Sequence, residues 1–325
     1  MEAALKRVRG RVLAACAVAG IIGIFLSASA PSSPSTRSDA GKTILVLSDT
    51  QAPLFLERLI LPWNRNEEAR QKILGLVLSE PNPAAVFHLG DAVARGSVEK
   101  DWKPIDDFLA QLRARGVPVY GVIGNHEYIS SSREGAARFK KRFPEFPLSW
   151  YSVRIVPLAF IVLNSNFGEL TRKERVEQQK FYAEQLAALE NDLEVKGIVV
   201  CAHHPPYTNN KIISRSFEGE REFVPLFLKS RKAKLFLSGH SHAAEHFIRE
   251  GKHFLVLGGG GGLLHPLYIG SNARYEDHFP LRTERRWFHY LRLQMNEGGW
   301  EVTFRMLRQD LASWVDIYSF GAAWD

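Results

Sequence analysis

The chain is poor in cysteine, with only Cys16 and Cys201 among 325 residues. Cys16 lies in an N-terminal leader and Cys201 inside an apolar run, so no intramolecular disulfide is expected in the processed chain. Within Ile198-Val199-Val200-Cys201-Ala202 the thiol reads as a small buried apolar group rather than a nucleophile. Charge of one sign is scarce too, with 42 Lys and Arg against 35 Asp and Glu. Taking Lys6, Arg7, Arg9, Arg11 and Glu2 out of a net charge of +7 leaves +4 for residues 31–325. No basic run with interleaved aromatics occurs, so no nucleic-acid partner is expected, and the mild excess suits an anionic ligand. Beyond the leader there is no hydrophobic span and no internal repeat. What the chain does have is 45% hydrophobic and 11% aromatic content, enough for one large core or two smaller ones.

Residues 1–30 have a basic start, an uncharged stretch at 12–26 and then Ser27-Ala28-Ser29-Ala30, the layout of a secretory leader. Export to a periplasmic or extracellular location is the expectation. Pro31 would hinder cleavage after Ala30, so a cleaved signal peptide and an anchor retained in the membrane by residues 12–30 both stand. Residues 31–41, rich in Ser, Thr and Pro, read as a linker. A catalytic domain is expected over 42–310 and an aromatic tail over 311–325, either packed on the domain or reaching a partner.

From Lys42 onward, strands alternate with helices, which predicts an α/β fold. Asn66 is placed as the cap of a helix whose Ile73, Leu74, Val77 and Leu78 form one face, and Ile105, Phe108, Leu109 and Leu112 repeat the pattern. Thr171 and Glu174 have capping-box spacing ahead of Tyr182, Leu186, Leu189 and Leu193. Residues 150–156 and 158–164 read as paired strands, and 289–295 and 300–306 as a hairpin.

Five apolar runs, at 44–48, 84–89, 117–123, 198–202 and 234–238, each stop at a polar block. The blocks are Asp49-Thr50-Gln51, Gly90-Asp91, Gly124-Asn125-His126-Glu127, His203-His204-Pro205 and Gly239-His240-Ser241-His242. In an open α/β sheet, strand ends form the rim where ligands gather. A lone Gly-Asp or His-x-His says little, but together the blocks supply the imidazoles, carboxylates and amide oxygens that two divalent ions need.

This order of blocks resembles the calcineurin-like metallophosphoesterase superfamily over residues 42–262. The resemblance implies a four-layer α/β sandwich, two mixed β-sheets packed face to face with helices outside. It places Asp49, Gln51 and His242 on one ion, Asn125, His203 and His240 on the other, and Asp91 between them, leaving His204 as a neighbour. It also implies hydrolysis of a phosphate ester, by a hydroxide held between the ions, with His126 protonating the leaving oxygen.

The family usually has His where this chain has Gln51. An oxygen donor there favours Mn²⁺ or Fe²⁺, with Zn²⁺ still compatible. Purple acid phosphatases have an iron-ligating Tyr at the Ala94 position, so no purple centre is expected. Arg95 matches a phosphate-binding Arg of the protein Ser/Thr phosphatases and is taken as a second catalytic residue. The glycines at 258–262 fit either a phosphate cradle or a permissive loop. His246, His253 and His265 read as packed or surface residues, and Lys211, Arg215 and Arg221 as solvated charges near a substrate loop. Two alternatives remain: a non-catalytic, metal-stabilised binding or scaffold module on the same fold, and a surface-attached protein that binds partners through its aromatic tail.

Overall fold

The computed structural model describes residue 41 and residues 43–54, 57, 59, 65–145 and 149–324. The leader at 1–30 and the linker as far as residue 40 lie outside the described residues.

Runs of Val, Ile, Leu and Phe, apolar on both faces, make the central strands β1 (Thr43–Leu47), β2 (Ala85–His88), β5 (Leu158–Val162), β6 (Gly197–Cys201) and β7 (Ala233–Ser238). Around them lie β3 (Val119–Gly121), β4 (Tyr151–Ile155), β8 (Ala244–Arg249), β9 (Lys252–Leu257), β10 (His289–Asn296), β11 (Gly299–Leu307) and β12 (Trp314–Ala323). Among the described residues the helices of three turns or more are α1 (Asn66–Ser79), α2 (Lys103–Ala114), α3 (Ser132–Arg142), α4 (Arg172–Asn191) and α5 (Phe217–Lys229).

Two six-stranded sheets result, in the orders β12-β11-β10-β1-β2-β3 and β4-β5-β6-β7-β9-β8. Both are mixed. β1, β2 and β3 run parallel, with β10 antiparallel to β1, while β5, β6, β7 and β9 run parallel between antiparallel β4 and β8. Alternate residues of the second sheet belong to different layers. Leu158, Phe160, Val162, Val199, Cys201, Leu235 and Leu237 join the core of the first sheet. Ala159, Ile161, Ile198, Val200 and Phe236 pack with Tyr182 and Leu186 of α4 and with Phe223 and Phe227 of α5. Phe87 of β2 stacks on Phe160 of β5 with ring centroids 4.2 Å apart, joining the two sheets. The fold is the four-layer α/β sandwich.

The strand ends line up: Leu47 lies opposite His88, His88 opposite Gly121, and Cys201 opposite Leu237. The polar blocks that follow therefore leave each sheet at one rim.

Several sequence readings are corrected. Arg65, left-handed at φ 54°, takes the cap position of α1. Asn66 is the first helical residue, and its Nδ2 donates to the carbonyls of Gly261 (3.0 Å) and Gly262 (2.8 Å) instead. The α4 face ends at Leu189, since the helix stops at Asn191 and Leu193 is 87% exposed. The run at 117–123 pairs as a strand only over β3. The tail, which the sequence left open between packing and partner binding, forms β12 over residues 314–323, hydrogen-bonded to β11 at the sheet edge. No helix among the described residues is long and apolar enough to cross a membrane.

Candidate metal centre

Three strand-end residues turn into the left-handed region without being glycine: Asp49 at φ 58°, Asp91 at φ 53° and His240 at φ 63°. Such backbone costs about 1–3 kcal/mol per residue and persists only where the surroundings impose it. Here the loops impose it on one another. Asp49 N donates to Gly90 O (3.0 Å), Gln51 N to Asp91 O (3.1 Å) and Gly239 N to His203 O (2.9 Å). His240 N donates to both Asp49 carboxylate oxygens at 3.0 Å, and His126 N to Asp91 Oδ1 at 2.8 Å.

Two groups of side chains converge, Asp49 with Asp91 and His242, and His203 with His204 and His240, each with ligand atoms within 4.8 Å of one another. Asn125 Oδ1 joins the second at 3.2 Å from His203 Nε2. The Gln51 amide turns its nitrogen toward the carbonyls of Asp91 (3.0 Å) and Asp49 (3.2 Å), which leaves its oxygen 3.0 Å from His242 Nε2. Asp91 stands between the groups, its Oδ2 3.2 Å from His203 Nε2.

Ring tautomers test whether these residues suit metal ions. His203 Nδ1 lies 2.8 Å from Leu89 O and His242 Nδ1 2.8 Å from Leu263 O, so each Nδ1 carries a proton. The Nε2 lone pair of neutral His203 then faces Asp91 Oδ2 and Asn125 Oδ1, both at 3.2 Å. That of His242 faces Gln51 oxygen at 3.0 Å and Asp49 Oδ1 at 3.4 Å. Acceptors aimed at acceptors at contact distance call for positive charge between them, supplied by a proton on Nε2 or by a metal ion. Burial disfavours imidazolium here, yet the Asp91 carboxylate still raises His203 to about 9, and Asp49 raises His242. The field at both rings therefore calls for positive charge. A divalent ion would supply it, and ring N–H groups donated to carbonyls are the usual support of metal-bound histidine. The donor set fits two ions.

The structure thus brings together Asp49, Gln51, Asp91 and His242 on one side and Asn125, His203 and His240 on the other. His126 adjoins them, with Nε2 3.9 Å from Asp91 Oδ2 and Nδ1 held 3.0 Å from Ala94 O. Arg95 is clamped by Asp101 through Nε–Oδ2 (3.0 Å) and Nη2–Oδ1 (3.2 Å) and lines a neighbouring cleft.

Gly258, Gly260 and Gly262 donate their N–H groups to the carbonyls of Ala243, Ser48 and Asp49, so the glycine run buttresses the ligand loops with these amides rather than cradling an anion. His265 stacks on His242 with centroids 4.4 Å apart, and His246 pairs with His253 at 2.9 Å. Lys211 and Arg221 are tied to Glu284 (2.7 Å) and Glu222 (2.8 Å). Arg215, paired with Glu220 at 2.9 Å, lines a cleft beside His204. Burial pushes the Cys201 thiol pKa up, away from nucleophile chemistry.

Two residues gain roles that sequence reasoning did not give them. The His204 ring packs 4.3 Å from that of His240, with Nδ1 2.9 Å from Ser165 Oγ. Glu127, fully buried, accepts from Asp91 N (2.9 Å), Ala92 N (2.8 Å) and Gly124 N (2.7 Å), riveting two ligand loops together. The doubled His and an acid closing the Asn-His block were the available signals.

A family model described as calcineurin-like phosphoesterase matches residues 42–244. Among solved structures, the chain is similar to a purple acid phosphatase from yellow lupin seeds, at 18% identity and TM-score 0.61 over 88% of this chain. It spans 54% of the length of that enzyme. It is also similar to GAP50, described as the anchor in the inner membrane complex of Plasmodium, at 16% identity and TM-score 0.61 over 88% of this chain and 90% of that one. A dimetal phosphatase from Danio rerio aligns at 14% identity and TM-score 0.52, covering 88% of this chain and all (100%) of the other. At these identities the likeness is one of fold. No curated protein matches the chain significantly.

Proposed function

The chain belongs to the calcineurin-like phosphoesterase family, and on that premise we propose that it hydrolyses phosphate esters at a centre of two divalent cations. The observation that carries this reading is the pair of buried acceptor clusters around His203 Nε2 and His242 Nε2, which a cation at each would satisfy.

Asp49, Gln51, Asp91 and His242 would hold one ion and Asp91, Asn125, His203 and His240 the other. Bound there, the pair would lower the pKa of water and neutralise charge growing on phosphoryl oxygens. The protein's part is to hold and position. Asp91, anchored by His126 N and by Glu127 below its own N–H, serves both halves of the centre. His126, with Nδ1 fixed on Ala94 O, presents Nε2 beside Asp91 as the atom that delivers a proton to the leaving oxygen. An amide oxygen from Gln51 in place of imidazole favours Mn²⁺ or Fe²⁺ over Zn²⁺. The leader pattern of residues 1–30 supports export, cleaved or anchored.

The test loads metal-stripped full-length protein with Mn²⁺ and assays nitrophenyl phosphate and bis-nitrophenyl phosphate. Turnover that needs metal is expected, with kcat lowered about 10²–10⁴-fold in His126→Ala and metal content lost in Asp91→Asn. Tight binding of two metals without turnover of any ester would favour a binding module on this fold, in line with the anchor described for GAP50. Failure to bind metal would overturn the assignment.

A further inference from the structure

A cleft of about 340 Å³ opens beside the centre, lined among others by Pro53, Leu54, Arg70, Arg95, Lys100 and Asp101. Its walls are continuous with the ligand loops. Residues 52–54 follow Gln51 directly, Ala94 holds the His126 ring through its carbonyl, and Arg70 Nη1 reaches Thr50 O at 3.5 Å. Arg70, Arg95 and Lys100 face one carboxylate, Asp101, in the lining, and with Glu67 paired to Arg70 behind it the local balance is still positive.

Two features go beyond a solvated basic surface. Arg70 is only 7% exposed, and its Nε–H, buried, meets no hydrogen-bond partner although Nη2 is held by Glu67 at 2.6 Å. A buried cationic donor left unpaired is unfavourable, and an anion nearby relieves it. Arg95, in turn, is fixed by the Asp101 fork, so its guanidinium is oriented before any ligand arrives.

We propose that this cleft is a subsite for a second anionic group. The preferred substrates are organic phosphates bearing another phosphate or a carboxylate at a distance from the ester being cleaved. The inference rests on the hydrolase reading above and adds a substrate class to it. The scissile phosphoryl group sits at the metal ligands while the remote anion enters between Arg95, Lys100 and Arg70.

The experiment compares kcat/KM of the Mn²⁺-loaded full chain for alkyl monophosphates, alkanediol bisphosphates and ω-carboxyalkyl phosphates of increasing spacer length. At one spacer length the doubly anionic ester is expected to be favoured by about ten-fold or more, the scale of a charge-assisted hydrogen bond. Lys100→Glu and Lys100→Gln should shrink that ratio toward one, and the two ester series tell phosphate from carboxylate. The proposal is overturned if no spacer is preferred, or if the Lys100 variants lower mono- and dianionic esters equally. Should no ester turn over, the hydrolase reading fails separately. The subsite is then read by calorimetry of hexanediol bisphosphate against hexyl phosphate on wild type and Lys100→Glu, where equal affinities overturn it.

Discussion

Gly124 has no room for a side chain, because an added Cβ would lie 2.2 Å from Asp91 Oδ1 and 2.4 Å from Asp91 N. Asp91 cannot retreat, since Glu127 holds its N–H and His126 N its carboxylate. Gly124→Ala is therefore expected to push Asp91 out of place, at a cost of about 1–3 kcal/mol in stability. Bound metal, counted by elemental analysis on purified protein, should fall from two ions toward one or none. Two retained ions would show that the loop yields more easily than its contacts imply. The residues that converge at the rim were legible in the sequence because each is polar where an apolar run stops. Glu127 was not, because its partners Asp91 and Ala92 lie 36 and 35 residues away and only the folded rim brings their N–H groups to it. The partner of Arg95 was hidden for a related reason: a matching motif does not reveal that Asp101, six residues on, pairs with its guanidinium.

Local helix signals were legible where both partners lie within one turn. Thr171 and Glu174 form the expected capping box, with Thr171 Oγ1 accepting from Glu174 N at 3.2 Å and Glu174 Oε2 from Thr171 N at 2.8 Å. Thr171→Ala should destabilise the protein by about 1 kcal/mol and lower Tm by about 2–4 °C, with metal content unchanged. A calorimetric scan with no shift would mean that packing of Tyr182, Leu186 and Leu189 alone holds α4. Where a signal needed the third dimension, it failed. Asn66 has the residue type of a cap, but glycine carbonyls about 195 residues away claim its side chain. Leu193 fits the period, but the chain leaves the helix at Asn191 before that period returns to the core. The aromatic tail gave no decision because a strand that alternates at a sheet edge depends on which edge it meets, and β11 supplies that edge.

Across the whole molecule, the two sheets meet at their outer strands through an aromatic cluster, with β12 at one edge and β8 at the other. His246 of β8 stacks on Phe320 of β12 with centroids 4.2 Å apart, its Nδ1 3.0 Å from Tyr318 Oη and its Nε2 2.9 Å from His253 Nδ1. Burial, then the neighbouring His253 and His278, lowers the His246 pKa from 6.5 to about 3. Burial, then His278 and Lys234, lowers His253 to about 4. Both folded values lie below the unfolded one, so the folded state binds fewer protons in that interval. Their contribution is present above pH 6.5 and is lost as the pH falls through the window toward 4 and 3. Each proton withheld adds a slope of up to about 1.4 kcal/mol per pH unit. Thermal stability should therefore drop steeply below pH 6.5, and hydrogen exchange should show β12 amides opening ahead of those in β5 and β6, which lie inside the second sheet. His253→Phe keeps an aromatic ring beside Phe320 and Trp300 while removing one titrating group and its repulsion of His246. Its stability should fall less between pH 6.5 and 4 than that of wild type. Carboxylates act equally in both proteins, so the difference isolates the histidines. Parallel curves would mean that the cluster opens to water and titrates without straining the contact between the sheets.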